Sequence, residues 1–194
     1  MLIIGNGKTI TRDANLPFIE DGAVAIEGTR IKEIGATKDM KEKYKEAEYI
    51  DARGGVIMPA FINTHEHIYS AMARGLSIKG YHPKGFLDIL DGQWWTIDRK
   101  LTPEQIRYSA ADTMISCIRN GVTTIFDHHA SFGHIKDSLF TIAEVAKELG
   151  VRSCLCYEVS DRDGMEKAKE AVMENAAFIK YALQDDSDML AGMM

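Results

Sequence analysis

The chain has 194 residues, 45% of them hydrophobic and 27% charged, and 23 Lys and Arg against 29 Asp and Glu give a formal charge of −6. This profile excludes the disordered, collagen-like and disulfide-scaffold classes, and without a Lys/Arg cluster it argues against a nucleic-acid partner. The length suits one domain with a small companion, but not a complete α/β barrel of about 250 residues together with anything else.

Along the chain, the opening apolar patch Met1–Ile4 runs at once into Gly5-Asn6-Gly7-Lys8, too short for the core of a signal peptide. No apolar run approaches the ~18 residues of a membrane span, so no membrane partner is expected. Ala23–Glu27 and Arg30–Ile34 flank Gly28-Thr29 as a hairpin. Thr37 is placed to cap a short helix through Glu46, and Tyr49–Ala52 resumes an extended pattern before Gly54-Gly55. The basic run Lys38–Lys45 is broken by Asp39 and Glu42 and reads as a solvated helix face. Residues 1–55 therefore form a small β module.

From residue 56 to 194 the pattern becomes strand, loop, helix, repeated. Val56-Ile57-Met58 leads through Pro59 into Phe61-Ile62-Asn63 as a first strand. Thr102 as cap, Pro103 in the first turn, Gln105 and the terminator Gly121 bound a helix with Ile106, Ala110, Met114 and Cys117 on one face. Val122–Phe126 is a β-branched second strand, and Leu139–Leu149 an amphipathic helix stopped by Gly150. Val151–Val159 is a third strand, and Met165–Leu183 a helix with Ala168, Val172, Ala176 and Ile179 on one face. Such alternation implies parallel strands with helices outside. The fold class expected is α/β, a partial barrel of three to four βα units preceded by a small β-sandwich-like module.

Chemistry concentrates in Met58-Pro59-Ala60-Phe61-Ile62-Asn63-Thr64-His65-Glu66-His67. On a strand, His65 and His67 project to the same side and can share one divalent cation at the strand's C-terminal end. An apolar strand before the pair and parallel βα units after it favour that reading over two surface histidines. The three cysteines, Cys117, Cys154 and Cys156, read as reduced thiols of a cytoplasmic protein, the last two as buried and inert.

With these residues in view, the sequence resembles the amidohydrolase superfamily, whose catalytic barrel opens on a strand running into His-x-His. Asn63 two residues before the first histidine, and Arg74-Gly75 further on, are similar to the deaminase and chlorohydrolase branch. Gly92–Arg99 and Asp127–Ser131 are similar to the SsnA group of aminohydrolases from selenium-metabolism gene clusters. Ala60 departs from the usual Gly of the family.

The resemblance implies a metal-dependent aminohydrolase of a heterocyclic small molecule, with His65 and His67 as metal ligands. Zinc is the expected metal, with iron as the alternative; either lowers the pKa of its water toward about 7. In the family the remaining ligands and the proton-shuttling Glu lie on later strands. The third histidine would fall a few residues beyond Met194, so the chain is expected to be an N-terminal fragment or truncated product with half a metal site.

Trp95, Arg74, His128 and His129 are candidates for substrate contact. The alternatives are core packing for Trp95, a helix-end salt bridge for Arg74 and a packed loop position for the histidines. Asp127 is read as orienting its neighbours, and Glu66 as pointing away from the metal pair. Two further functional readings stay open: a ring-amide hydrolase or chlorohydrolase on the same fold, and an inactive module acting in assembly. The expected partner is a small-molecule substrate, and a homo-oligomer is left open.

Overall fold

A computed structural model describes all 194 residues, which divide into two compact units, Met1–Ala60 and Phe61–Met194. No helix is long and apolar enough to cross a membrane.

The first unit is a sheet built around β1 (Leu2–Ile10). β2 (Phe18–Glu27) pairs antiparallel with β1, and β3 (Arg30–Ala36) antiparallel with β2 across the turn at Gly28, whose φ of +59° suits glycine. The helix α1 (Thr37–Lys43) follows, and then β4 (Glu48–Asp51) and β5 (Val56–Ile57) both pair parallel with β1. Alternate residues of β1 turn inward, and Ile3, Ala23, Ala25 and Met40 form a core of modest volume.

Two expectations are corrected in this unit. Thr37 does not cap α1, which ends at Lys43 rather than Glu46. Its hydroxyl instead accepts from the Asn6 N–H and donates to the Gly22 carbonyl, tying the helix start to two strands. The run from Val56 to Asn63 is not one strand either. Val56 and Ile57 stay with the first unit, and Pro59, which has no N–H to give a ladder, separates them from the strand that opens the second.

The second unit is a parallel sheet in the order β6 (Phe61–Glu66), β7 (Val122–His129), β8 (Arg152–Tyr157), β9 (Leu190–Gly192). Between β6 and β7 lie a 3₁₀ turn (Ile68–Ala73) and the short helices α2 (Phe86–Ile89) and α3 (Trp95–Asp98), joined by a π-helical turn. The long helix α4 (Pro103–Arg119) follows them. α5 (Ser138–Leu149) and α6 (Met165–Ala182) complete the alternation. This mixed α/β architecture is part of a (β/α) barrel: three βα units and the strand of a fourth, with a separate smaller sheet module before them.

α4 starts as its sequence requires. The Thr102 hydroxyl accepts from the Gln105 N–H at 3.3 Å while the Gln105 side chain accepts from the Thr102 N–H at 3.0 Å, a complete capping box with Pro103 in the first turn. Ile106, Ala110 and Met114 of this helix pack with Ile125, Leu139, Ile142, Leu155 and Phe178 in one core. Each such aliphatic side chain contributes roughly 1.5–3 kcal/mol by leaving water.

The buried face of α6 is rotated from the one expected. Ala168, Ala171, Glu174, Asn175 and Phe178 are buried, whereas Val172 and Ala176 are exposed. The polar pair is accommodated because each finds backbone partners. Asn175 accepts from the Tyr157 N–H and donates to the Tyr157 carbonyl; Glu174 accepts from the Asp137 and Leu139 N–H groups, capping α5 from outside.

Candidate metal centre at the C-terminal end of the sheet

The geometry of the histidine pair begins with a miscount in the β6–β7 ladder. Asn63 pairs with Ile125 and Glu66 with Asp127, so β6 carries one extra residue between the two pairings. Ile125 and Asp127 both face the helices, and Asn63 and Glu66 face the same way, joined by a 2.7 Å hydrogen bond from Asn63 Nδ2 to Glu66 Oε2. Strict alternation from Asn63 would have sent His65 and His67 to that side too. The bulge reverses the parity. The two imidazoles turn to the opposite face, where they line a cavity of about 330 Å³ with Thr64, Glu66, Phe126, His128 and Met193.

His65 Nε2 and His67 Nε2 stand 3.1 Å apart, with the rings edge to face. Two nitrogens ~2.0–2.1 Å from one Zn²⁺ are separated by roughly 2.9–3.4 Å at ordinary coordination angles, so the pair fits a shared cation. The His67 ring is oriented from behind: its Nδ1–H donates to the His128 carbonyl at 3.0 Å, which leaves the Nε2 lone pair facing His65. Glu66 Oε1 accepts from the His67 N–H at 3.0 Å while its Oε2 is held by Asn63 Nδ2. No group of three or more His, Cys, Asp or Glu is arranged around a metal position, so these residues supply two donors.

β7 supports the pair from the next strand. Asp127 is fully buried; its Oδ1 accepts from the Ile68 N–H at 2.7 Å, and its Oδ2 has no partner. Burial pushes this carboxyl well above the usual carboxylate range. His128 lies on the cavity side, its ring 5.5 Å from that of His67, and burial holds it below the ordinary histidine range.

His129, adjacent in sequence and expected to contact substrate, faces the helices and is fully buried. Its Nε2 meets Ser131 Oγ at 3.0 Å, its Nδ1 has no partner, and burial drives it down to about 3. Sealed from solvent, this serine–histidine pair has no access to a substrate.

Two other expected contacts fall elsewhere. Arg74 forms an ion pair with Asp112 of α4 and lines a groove on the helix side with Glu66, which is the salt-bridge alternative. Trp95 does not line the histidine cavity; the Arg162 guanidinium lies 5.1 Å from its ring centroid. That arginine is the hub of a cluster the sequence did not reveal. It pairs with the buried Asp98 and with Glu158, and lies 3.7 Å from the Phe132 ring centroid. The cluster fixes α3 to the segment after β8. Cys154 and Cys156 face the cavity side with thiols raised by burial, Cys156 to about 11, which leaves both protonated.

Residues 56–192 match the model of the amidohydrolase family. The 5-methylthioadenosine/S-adenosylhomocysteine deaminase of Pyrococcus furiosus is 30% identical over 193 residues, covering 98% of this chain and 40% of that protein. The 5'-deoxyadenosine deaminase of Methanosarcina barkeri is 28% identical over 184 residues, 92% of this chain and 38% of that protein. The chain thus spans about two fifths of the length of these relatives. Among solved structures, E. coli guanine deaminase superposes with a TM-score of 0.78 at 20% identity, over 99% of this chain and 46% of its own. A zinc complex of atrazine chlorohydrolase from Arthrobacter aurescens gives 0.78 at 21% identity, over 100% of this chain and 46% of its own.

Proposed function

The chain belongs to the amidohydrolase family, a family of enzymes, and on that premise we propose that it carries part of the catalytic centre of a metal-dependent hydrolase acting on non-peptide carbon–nitrogen bonds. The substrate class is a small heterocycle bearing an amino group, and the reaction its hydrolytic deamination. The observation that carries this reading is the His65–His67 pair, with Nε2 atoms 3.1 Å apart and His67 oriented by the His128 carbonyl. Support for the substrate class comes from relatives named as deaminases of adenosine derivatives. Gly92–Arg99 and Asp127–Ser131 support placement near the SsnA group of aminohydrolases.

A divalent cation, zinc or iron, supplies Lewis acidity and a water that ionises near neutral pH. His65 and His67 hold it through their Nε2 lone pairs. His128, facing the cavity and kept below the ordinary histidine range, presents a neutral imidazole for hydrogen bonding to substrate, and Phe126 offers an apolar surface to a flat ring. Trp95, Arg74 and His129 take no part in this assignment. Residues 1–55, together with the short strand β5, are assigned to the N-terminal part of a composite β-sandwich, and the remainder to the N-terminal part of the hydrolase barrel. The free thiols of Cys117, Cys154 and Cys156 support a reducing, cytoplasmic setting.

Metal binding by the 194-residue chain tests the assignment. Titration with Zn²⁺ in a calorimeter is expected to show one weak site, as two donors imply, and His65→Ala or His67→Ala to weaken it at least tenfold with the fold unchanged. Zinc binding indifferent to both substitutions would remove the site.

A further inference from the structure

Resting on the metal reading above, we propose that Asp127 is a positioning residue for His67, gripping from the neighbouring strand the backbone N–H that follows the ligand. His67 stands where β6 gives way to the 3₁₀ turn, with φ −134° and ψ 76°, a conformation belonging to neither element. Ile68 opens that turn, and the first N–H groups of a helical turn have no partner within it. Asp127 fills this vacancy across the sheet: its Oδ1 accepts from the Ile68 N–H at 2.7 Å, between residues that are both fully buried.

The next residue of β7 makes the second contact, the His128 carbonyl accepting from His67 Nδ1 at 3.0 Å. Consecutive residues of one strand thus hold the main chain and the ring of the same histidine. The first fixes where its Cα sits, the second which nitrogen faces His65. The grip uses one carboxyl oxygen as an acceptor; the other has no partner, and no cation pairs with the group. An amide oxygen would serve the Ile68 N–H equally well, whereas a methyl group would leave a buried donor unpaired.

This distinction gives the test, made on the 194-residue chain with Co²⁺ as the probe, its visible absorption reporting affinity and coordination. Hydrogen exchange at the Ile68 amide and the tautomer of the His67 ring are read by NMR in the metal-free protein. Asp127→Ala is expected to weaken Co²⁺ binding about tenfold or more, the range found when groups behind metal ligands are removed, and to abolish protection of the Ile68 amide. Asp127→Asn is expected to keep both, with affinity within about threefold of the parent. A folded Asp127→Ala chain that binds Co²⁺ as the parent does would overturn the proposal. So would an Asp127→Asn chain that fails to fold or loses tenfold or more, and that variant decides the matter if the alanine variant does not fold. His67→Ala separates the two levels. Unchanged Co²⁺ binding there would overturn the metal reading itself, whereas binding that needs His67 and ignores Asp127→Ala overturns only the role of Asp127.

Discussion

At the scale of single residues, burial at the end of β7 sets protonation in opposite senses. Asp127 is pushed well above the ordinary carboxylate range, and His129 is held neutral by a pKa lowered to about 3. For His129 the unfolded chain takes up a proton near pH 6.5 that the folded chain refuses until about pH 3. Its contribution is therefore fully present above pH 6.5 and is lost as the pH falls toward 3, at up to ~1.4 kcal/mol per pH unit. His129→Gln keeps an amide for Ser131 and cannot titrate. Urea unfolding at pH 7, 6, 5 and 4 should show the parent losing stability faster than the variant by about one proton's slope; parallel slopes would contradict the assignment. The histidine pair was legible because both imidazoles lie within one short motif on a strand. Asp127 and Ile68 were not legible as partners: 59 positions separate them, and a lone carboxylate in an apolar strand carries no periodic signal.

At the scale of elements, α5 begins without a cap of its own. Asp137 at its N-terminus has φ +64° and makes no side-chain capping bond, and both carboxylate oxygens of Glu174 on α6 accept its free N–H groups instead. Glu174→Ala removes two acceptors from buried donors and should cost about 2–4 kcal/mol in chemical unfolding. Glu174→Gln keeps one oxygen acceptor and should cost about half as much. A loss below ~0.5 kcal/mol for the alanine variant would show that α5 finds its partners elsewhere. Here the sequence was read well where signals were local, as in the capping box of α4, and poorly where they were not. The α6 face was misjudged because periodicity counts apolar residues, whereas Glu174 and Asn175 are buried by virtue of backbone partners on other elements. Thr37 looked like a cap by type and spacing, yet its hydroxyl is engaged by Asn6 and Gly22.

At the scale of the whole molecule, the four-stranded sheet is covered by helices on one face only. Parallel sheets normally bury both. On the other face Ile62 is 59% exposed, near Phe126. The chain should bind a hydrophobic dye and associate with rising concentration, both reduced by Ile62→Lys, which should change stability by less than ~0.5 kcal/mol. Dye fluorescence and light scattering insensitive to that substitution would place the apolar surface elsewhere. Alternating strands and helices, and hence the class of fold, were legible from periodicity alone. The point where one unit gives way to the other was less so, because Val56-Ile57 and Phe61-Ile62 are equally good strand sequences and only pairing with β1 separates them.

The bulge in β6 has a consequence for the way this strand can vary. Most positions of a strand take their face from how many residues stand before them; the two histidines take theirs from Glu66, which stands between them and faces the helices. Loss of Thr64 would close the bulge and bring Asn63 and Glu66 to a spacing of two, so that plain alternation alone keeps that pair on the helix face and both imidazoles on the other. In a lineage of such chains the length before the pair is therefore free to change by this one residue, whereas a residue gained or lost between the two histidines would send one imidazole to the other face.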